Sequence, residues 1–76
     1  MMEQADLVAI LNDLIATNLD SAEGYRAAAE AVADATYRQI FLESAQQRVE
    51  FVATLSDLVR QYGGDPEQSG HLVGAF

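Results

Sequence analysis

The chain has 76 residues, no cysteine, and twelve acidic against four basic side chains, which gives a formal net charge of −8. One small domain is therefore expected, without disulfides or cysteine-bound zinc. The acidity argues against binding to nucleic acids or to anionic membranes. The N-terminus lacks a positively charged, apolar signal segment, and no apolar run is long enough to span a bilayer, so we expect a cytoplasmic protein.

The first predicted element is a helix over about residues 5–32. A set of its side chains recurs at spacings that alternate between four and three residues, which is typical of one buried helical face. This inner stripe comprises Leu7, Leu11, Leu14, Asn18, Ser21, Tyr25, Ala28 and Val32. Residues 33–36 interrupt the pattern, and Asp34 is the expected N-cap of a second helix.

The second helix is predicted over about residues 35–62 and ends at Gly63-Gly64, before Pro66. Its inner stripe comprises Tyr37, Phe41, Ser44, Arg48, Phe51, Leu55, Leu58 and Tyr62. Because the link is short, the two helices should form an antiparallel hairpin over residues 1–64. Residues 65–76 are expected to be a flexible linker with a short apolar tail, and His71 a solvated loop residue.

A lone hairpin would leave apolar side chains beside each stripe in contact with water. We expect these flanking residues to be Val8, Ile10, Ile15, Leu19, Ile40, Val52 and Val59. Such a surface favours pairing with a second copy, and the fold class is therefore predicted as an all-α, two-fold symmetric four-helix bundle made of two hairpins.

When the two helices are folded into an antiparallel hairpin, both stripes become polar at the same position along its axis. This predicted polar layer comprises Asn18, Ser21, Tyr25, Ser44, Gln47 and Arg48. Buried polar groups must either form hydrogen bonds with one another or bind a ligand. One interpretation is a hydrogen-bonded layer that fixes register and oligomeric state, as a buried Asn does in coiled coils. The other is a small cation or ligand site.

A metal site assembled between hairpins would use oxygen ligands. The candidates are Glu43, Gln47 and Glu50 on the second helix, together with Asn18 on the first, and iron or manganese is the expected metal. Arg48 in the same layer disfavours a bound cation. The chain has no arrangement for nucleophilic catalysis.

Four segments, residues 11–15, 23–28, 45–48 and 63–67, resemble the first half of small bacterial ferritin-like proteins. These four-helix-bundle relatives of the rubrerythrins form a domain family of unknown function, and the resemblance covers essentially the whole chain. It implies a ferritin-like fold. Family members have two hairpins in one chain, so this sequence resembles either a truncated form or a minimal version that pairs with its own copy.

The same resemblance maps the ferritin metal ligands onto three positions. Position 18 corresponds to the first-helix Glu, and positions 47 and 50 correspond to the Glu-x-x-His motif. Here they are Asn18, Gln47 and Glu50, so ferroxidase chemistry is disfavoured. Two functions follow as expectations: a non-catalytic dimerisation or interaction module, or an iron- or manganese-binding bundle.

Overall fold

The computed structural model describes residues 2–71 and contains two α-helices packed against each other. Helix α1 spans Gln4–Ala31 and helix α2 spans Ala35–Gln61, against expected bounds of about 5–32 and 35–62. The all-α hairpin is therefore confirmed. The predicted apolar tail over residues 72–76 lies outside the described residues. Within residues 2–71, neither helix combines the length and apolarity needed to cross a membrane.

The turn between the helices is fixed by a cap at the start of α2. The Asp34 side chain accepts hydrogen bonds from the backbone N–H groups of Thr36 at 2.8 Å and Tyr37 at 3.0 Å. These are N–H groups that a helix start leaves without intrahelical partners. From the other side, the Arg38 guanidinium donates to the Val32 carbonyl at 3.2 Å. The predicted N-cap is confirmed.

Removal of this cap should destabilise the hairpin measurably. We expect Asp34→Ala to lower the free energy of unfolding by about 1 kcal/mol, because two backbone donors lose their acceptor. Urea denaturation followed by circular dichroism measures this. Asp34→Asn is the matched control, since an asparagine side chain also caps helices and should stay close to the wild type. Equal destabilisation by both variants would contradict the capping role.

The C-terminus of α2 is closed by two glycines, as predicted. Gly63 has a φ of 80°, which L-residues with side chains rarely adopt. The Gly64 N–H donates to the Val59 carbonyl at 3.0 Å. A Cβ at Gly64 would meet the Val8 side chain. The chain therefore turns back towards α1 immediately after the helix.

The hydrophobic core lies along a narrow strip where the two helices touch. Ile15 and Val59 are completely buried, and Leu11 and Leu55 are 8% exposed. The small buried side chains Ala22, Ala29 and Ala45 let the helix backbones approach closely.

This strip corrects the sequence analysis at two positions. Ile15 and Val59 were expected to flank the inner stripes and remain wet, yet they form the centre of the core. The reason is that each helix has a broader apolar face than one neighbouring helix can cover. The neighbouring helix therefore covers only one edge of that face, and Ile15 and Val59 lie on the covered edge.

Candidate interaction face and polar layer

One side of the hairpin carries large apolar side chains that the two helices do not cover. At about 100° per residue, these side chains all lie on the same rotational side of the buried strip on each helix. Because the helices are antiparallel, these two sides form one continuous surface. We call it the open face; it comprises Ile10, Leu14, Tyr37, Ile40, Phe51 and Tyr62, each between 40% and 57% exposed.

The open face also corrects a prediction about the inner stripes. Four members of those stripes are exposed in the hairpin: Leu14 at 44%, Tyr37 at 57%, Phe51 at 55% and Tyr62 at 40%. The stripes point obliquely, partly towards the neighbouring helix and partly out of the open face. This is the direction in which helices of a four-helix bundle present their core side chains, since each helix there has two neighbours.

The polar layer lies at the middle of both helices, where Asn18 meets Arg48. The Arg48 guanidinium donates to the Asn18 side-chain oxygen at 3.3 Å. The Asn18 amide nitrogen donates in turn to the Leu14 carbonyl at 2.8 Å. Both residues are half-buried, and no polar side chain within residues 2–71 is fully buried. The guanidinium therefore has an acceptor across the hairpin and keeps access to water.

The other predicted members of this layer are spread around the Asn18–Arg48 pair. Ser21 is half-buried and Gln47 exposed. Ser44 is half-buried and donates its hydroxyl to the Ile40 carbonyl at 3.0 Å. Tyr25 stacks on Phe41 across the hairpin with ring centroids 6.4 Å apart. Tyr25 thus serves mainly as an apolar contact above the layer.

The four candidate metal ligands are not gathered into one cluster by the hairpin. Glu43 accepts a hydrogen bond from Gln39 at 3.1 Å, and the helical period places both Glu43 and Glu50 on the side of α2 away from α1. Asn18 is engaged with Arg48. Residues 2–71 contain no group of three or more acidic, His or Cys side chains that could hold a metal. A metal site assembled across two hairpins stays a prediction.

An open depression lies beside the layer on α2. It has a volume of about 440 Å³ and is lined by Gln47, Arg48, Glu50, Phe51 and Thr54. Phe51 connects this depression with the open face, so the polar layer and the apolar residues form one continuous surface.

The residues after α2 follow the opposite flank of α1. We call residues 65–71 the strap. The Asn12 side chain holds its first half, donating to the Asp65 carbonyl at 3.0 Å and accepting from the Glu67 N–H at 2.8 Å. Ala16 is only 5% exposed although it points about 100° away from Ile15 on the helix. We attribute its burial to the strap.

The end of the strap is held by His71, which sequence reasoning treated as a solvated loop residue. Its Nε2 lies 2.6 Å from an Asp13 carboxylate oxygen and its Nδ1 lies 3.0 Å from Asp20. The His71 backbone N–H also donates to Asp20 at 3.0 Å. A Cβ at Gly70 would collide with the Asp20 carboxylate, so glycine permits this approach. Hydrogen bonds to the carboxylates of Asp13 and Asp20 raise the pKa of His71 above its ordinary value of 6.5.

The geometry defines a class of protein: an all-α helical hairpin with one apolar face open and the other flank strapped. The family model described as "Domain of unknown function (DUF2383)" matches residues 6–76, and the chain belongs to this family. The expected membership of a family of unknown function is confirmed, whereas the relation to ferritin-like proteins stays a prediction. No curated protein and no solved structure matches the chain significantly.

Proposed function

We propose that this protein is a non-catalytic helical dimerisation module, in which the open faces of two copies pack together into a ferritin-like four-helix bundle. One observation carries the proposal. Of the large apolar side chains that are exposed within residues 2–71, all but Met2 and Leu42 lie on the open face. Contiguous exposed apolar surface of this kind marks an interaction site.

The charge distribution supports an apolar partner. Although the chain carries a net charge of −8, none of the six open-face residues is ionisable near neutral pH. The charged side chain at the middle of this face is Arg48, whose guanidinium donates to the Asn18 oxygen, and Glu50 lines the adjoining depression. Arginine and aromatic side chains are enriched at the cores of interfaces between proteins, whereas acidic side chains are depleted there.

A second copy is the partner that the pattern fits best. Asn18 and Arg48 lie at the midpoints of α1 and α2, so the polar layer divides the open face into two apolar halves. A two-fold axis through the middle of this face brings polar residues onto polar residues and apolar onto apolar. The layer would then fix the register of the two hairpins, as polar core positions do in coiled coils.

Sedimentation equilibrium of the full chain tests the proposal. We expect a dimer at micromolar concentration, with helical circular dichroism retained. A folded monomer at that concentration would refute pairing between copies. A discrete trimer or larger closed ring would also refute the two-hairpin bundle, because it requires a different symmetry.

A further inference from the structure

We propose that His71 and the carboxylates of Asp13 and Asp20 form a pH-dependent latch, which holds the C-terminal end of the strap on α1 when the imidazole is protonated and releases that end when the imidazole is neutral. On the helical wheel of α1, Asp13 and Asp20 lie about 60–120° from the open-face residues Ile10 and Leu14. All three members of the latch belong to one hairpin, so its hydrogen bonds form within a single copy.

The argument begins with the donors and acceptors of the ring. Each imidazole nitrogen of His71 faces a carboxylate oxygen, at 2.6 Å for Asp13 and 3.0 Å for Asp20. A carboxylate at neutral pH only accepts hydrogen bonds, and a neutral imidazole donates from one nitrogen alone. One of the two contacts would then join two acceptors. Only the protonated ring donates to both carboxylates at once.

The surroundings of the ring contain no competing cation among the described residues. Its side chain is 47% exposed, so protons exchange freely with solvent. Both carboxylates that act on it belong to α1, and α2 packs on another side of that helix without placing a charged group against the ring. Within the strap, the Glu67 carboxylate is turned towards the Gln68 and Ser69 amides, from which it accepts hydrogen bonds.

The direction of the pH dependence follows from this arrangement. Hydrogen bonds that the ring donates to the carboxylates, first Asp13 and then Asp20, raise the pKa of His71 above the ordinary value of 6.5. The ring binds its proton more tightly in the latched state than in the released state. The latch is therefore fully present below pH 6.5 and is lost as the pH rises through the raised pKa.

An NMR titration of the full chain tests the latch directly, since His71 is the only histidine and its ring signals are unambiguous. We expect a pKa above 6.5 in the wild type and a shift back towards 6.5 in Asp13→Asn. Asp6→Asn is the matched control: it removes the same charge from an exposed position of the same helix and should leave the pKa of His71 close to the wild-type value.

Amide exchange of His71 supplies the second readout. The measured exchange rate of the His71 amide hydrogen is first corrected for the intrinsic rate at each pH. The protection of this hydrogen against exchange should then fall as the pH rises through the measured pKa of His71. The total loss should be tenfold for each unit by which that pKa exceeds 6.5, because the same proton links both equilibria. A His71 pKa of 6.5 in the wild type, an Asp13→Asn pKa equal to the wild-type value, or protection independent of pH would each overturn the latch.

Discussion

Phe51→Glu is expected to convert the dimer into folded monomers. Phe51 is 55% exposed at the centre of the open face, between the apolar residues and the depression beside Arg48. Pairing would then lose two aromatic contacts and bring two like-charged carboxylates together near the two-fold axis, and the burial of a charge costs several kcal/mol even where Arg48 lies nearby. We expect the dimer dissociation constant to rise at least about 100-fold, which corresponds to about 3 kcal/mol. Sedimentation equilibrium over a concentration series measures it.

Leu42→Glu is the matched control for this variant. Leu42 is 45% exposed on the same helix, but the helical period places it outside the open face. The substitution adds the same charge and should leave the dissociation constant nearly unchanged. Equal weakening by Phe51→Glu and Leu42→Glu would show that net charge, and not the open face, governs association. No weakening by Phe51→Glu would place the interface elsewhere.

The second large effect concerns the core. Ile15 is completely buried between the helices, and Ile15→Ala leaves a cavity that the short hairpin cannot refill. We expect a loss of about 3 kcal/mol, within the range of about 2–5 kcal/mol for such truncations. In a domain of this size that corresponds to a melting temperature lower by roughly 12–24 °C. Thermal unfolding monitored by circular dichroism provides the measurement.

The comparison for Ile15→Ala is Leu42→Ala, which removes the same number of carbon atoms from a half-exposed site. It should cost less than about 1 kcal/mol, since little apolar area returns to water. Both variants must be compared at one protein concentration, because association adds to the apparent stability. If both substitutions cost the same, Ile15 is not at the centre of the core.

The hairpin itself follows from strong local signals. Asp34 satisfies the first N–H groups of α2, and Gly63 supplies the positive φ at its end. Capping and termination depend on a few neighbouring residues, so the sequence alone predicts both.

The rotational setting of the helices is harder to predict. The apolar face of each helix is broad, and Leu14 and Ile15 are adjacent candidates for burial. The helical repeat of apolar residues can be drawn through either one. The packing of α2 against α1 buries Ile15 and leaves Leu14 44% exposed. Asn18 and Arg48 interrupt both stripes, so the sequence predicts their position along the hairpin. The hydrogen bond between them depends in addition on how each helix is rotated about its own axis.

The strap was missed because its contacts are distant in sequence. His71 and Asp13 are 58 positions apart, and no local pattern connects them. The available signal was Gly70 before the only histidine, combined with Asn12, Asp13 and Asp20 on one flank of α1. Those polar side chains fit an exposed helix surface equally well.

The strap also bears on how far assembly proceeds. A hairpin with apolar surface on both flanks would present two equivalent contacts, and copies could add without limit into a filament. The strap runs along the second flank of α1, where Ala16 is only 5% exposed, so among residues 2–71 the large exposed apolar side chains other than Met2 and Leu42 lie on one side of the hairpin. A single apolar face gives each copy one such contact, and on the proposed pairing association would then end at the dimer.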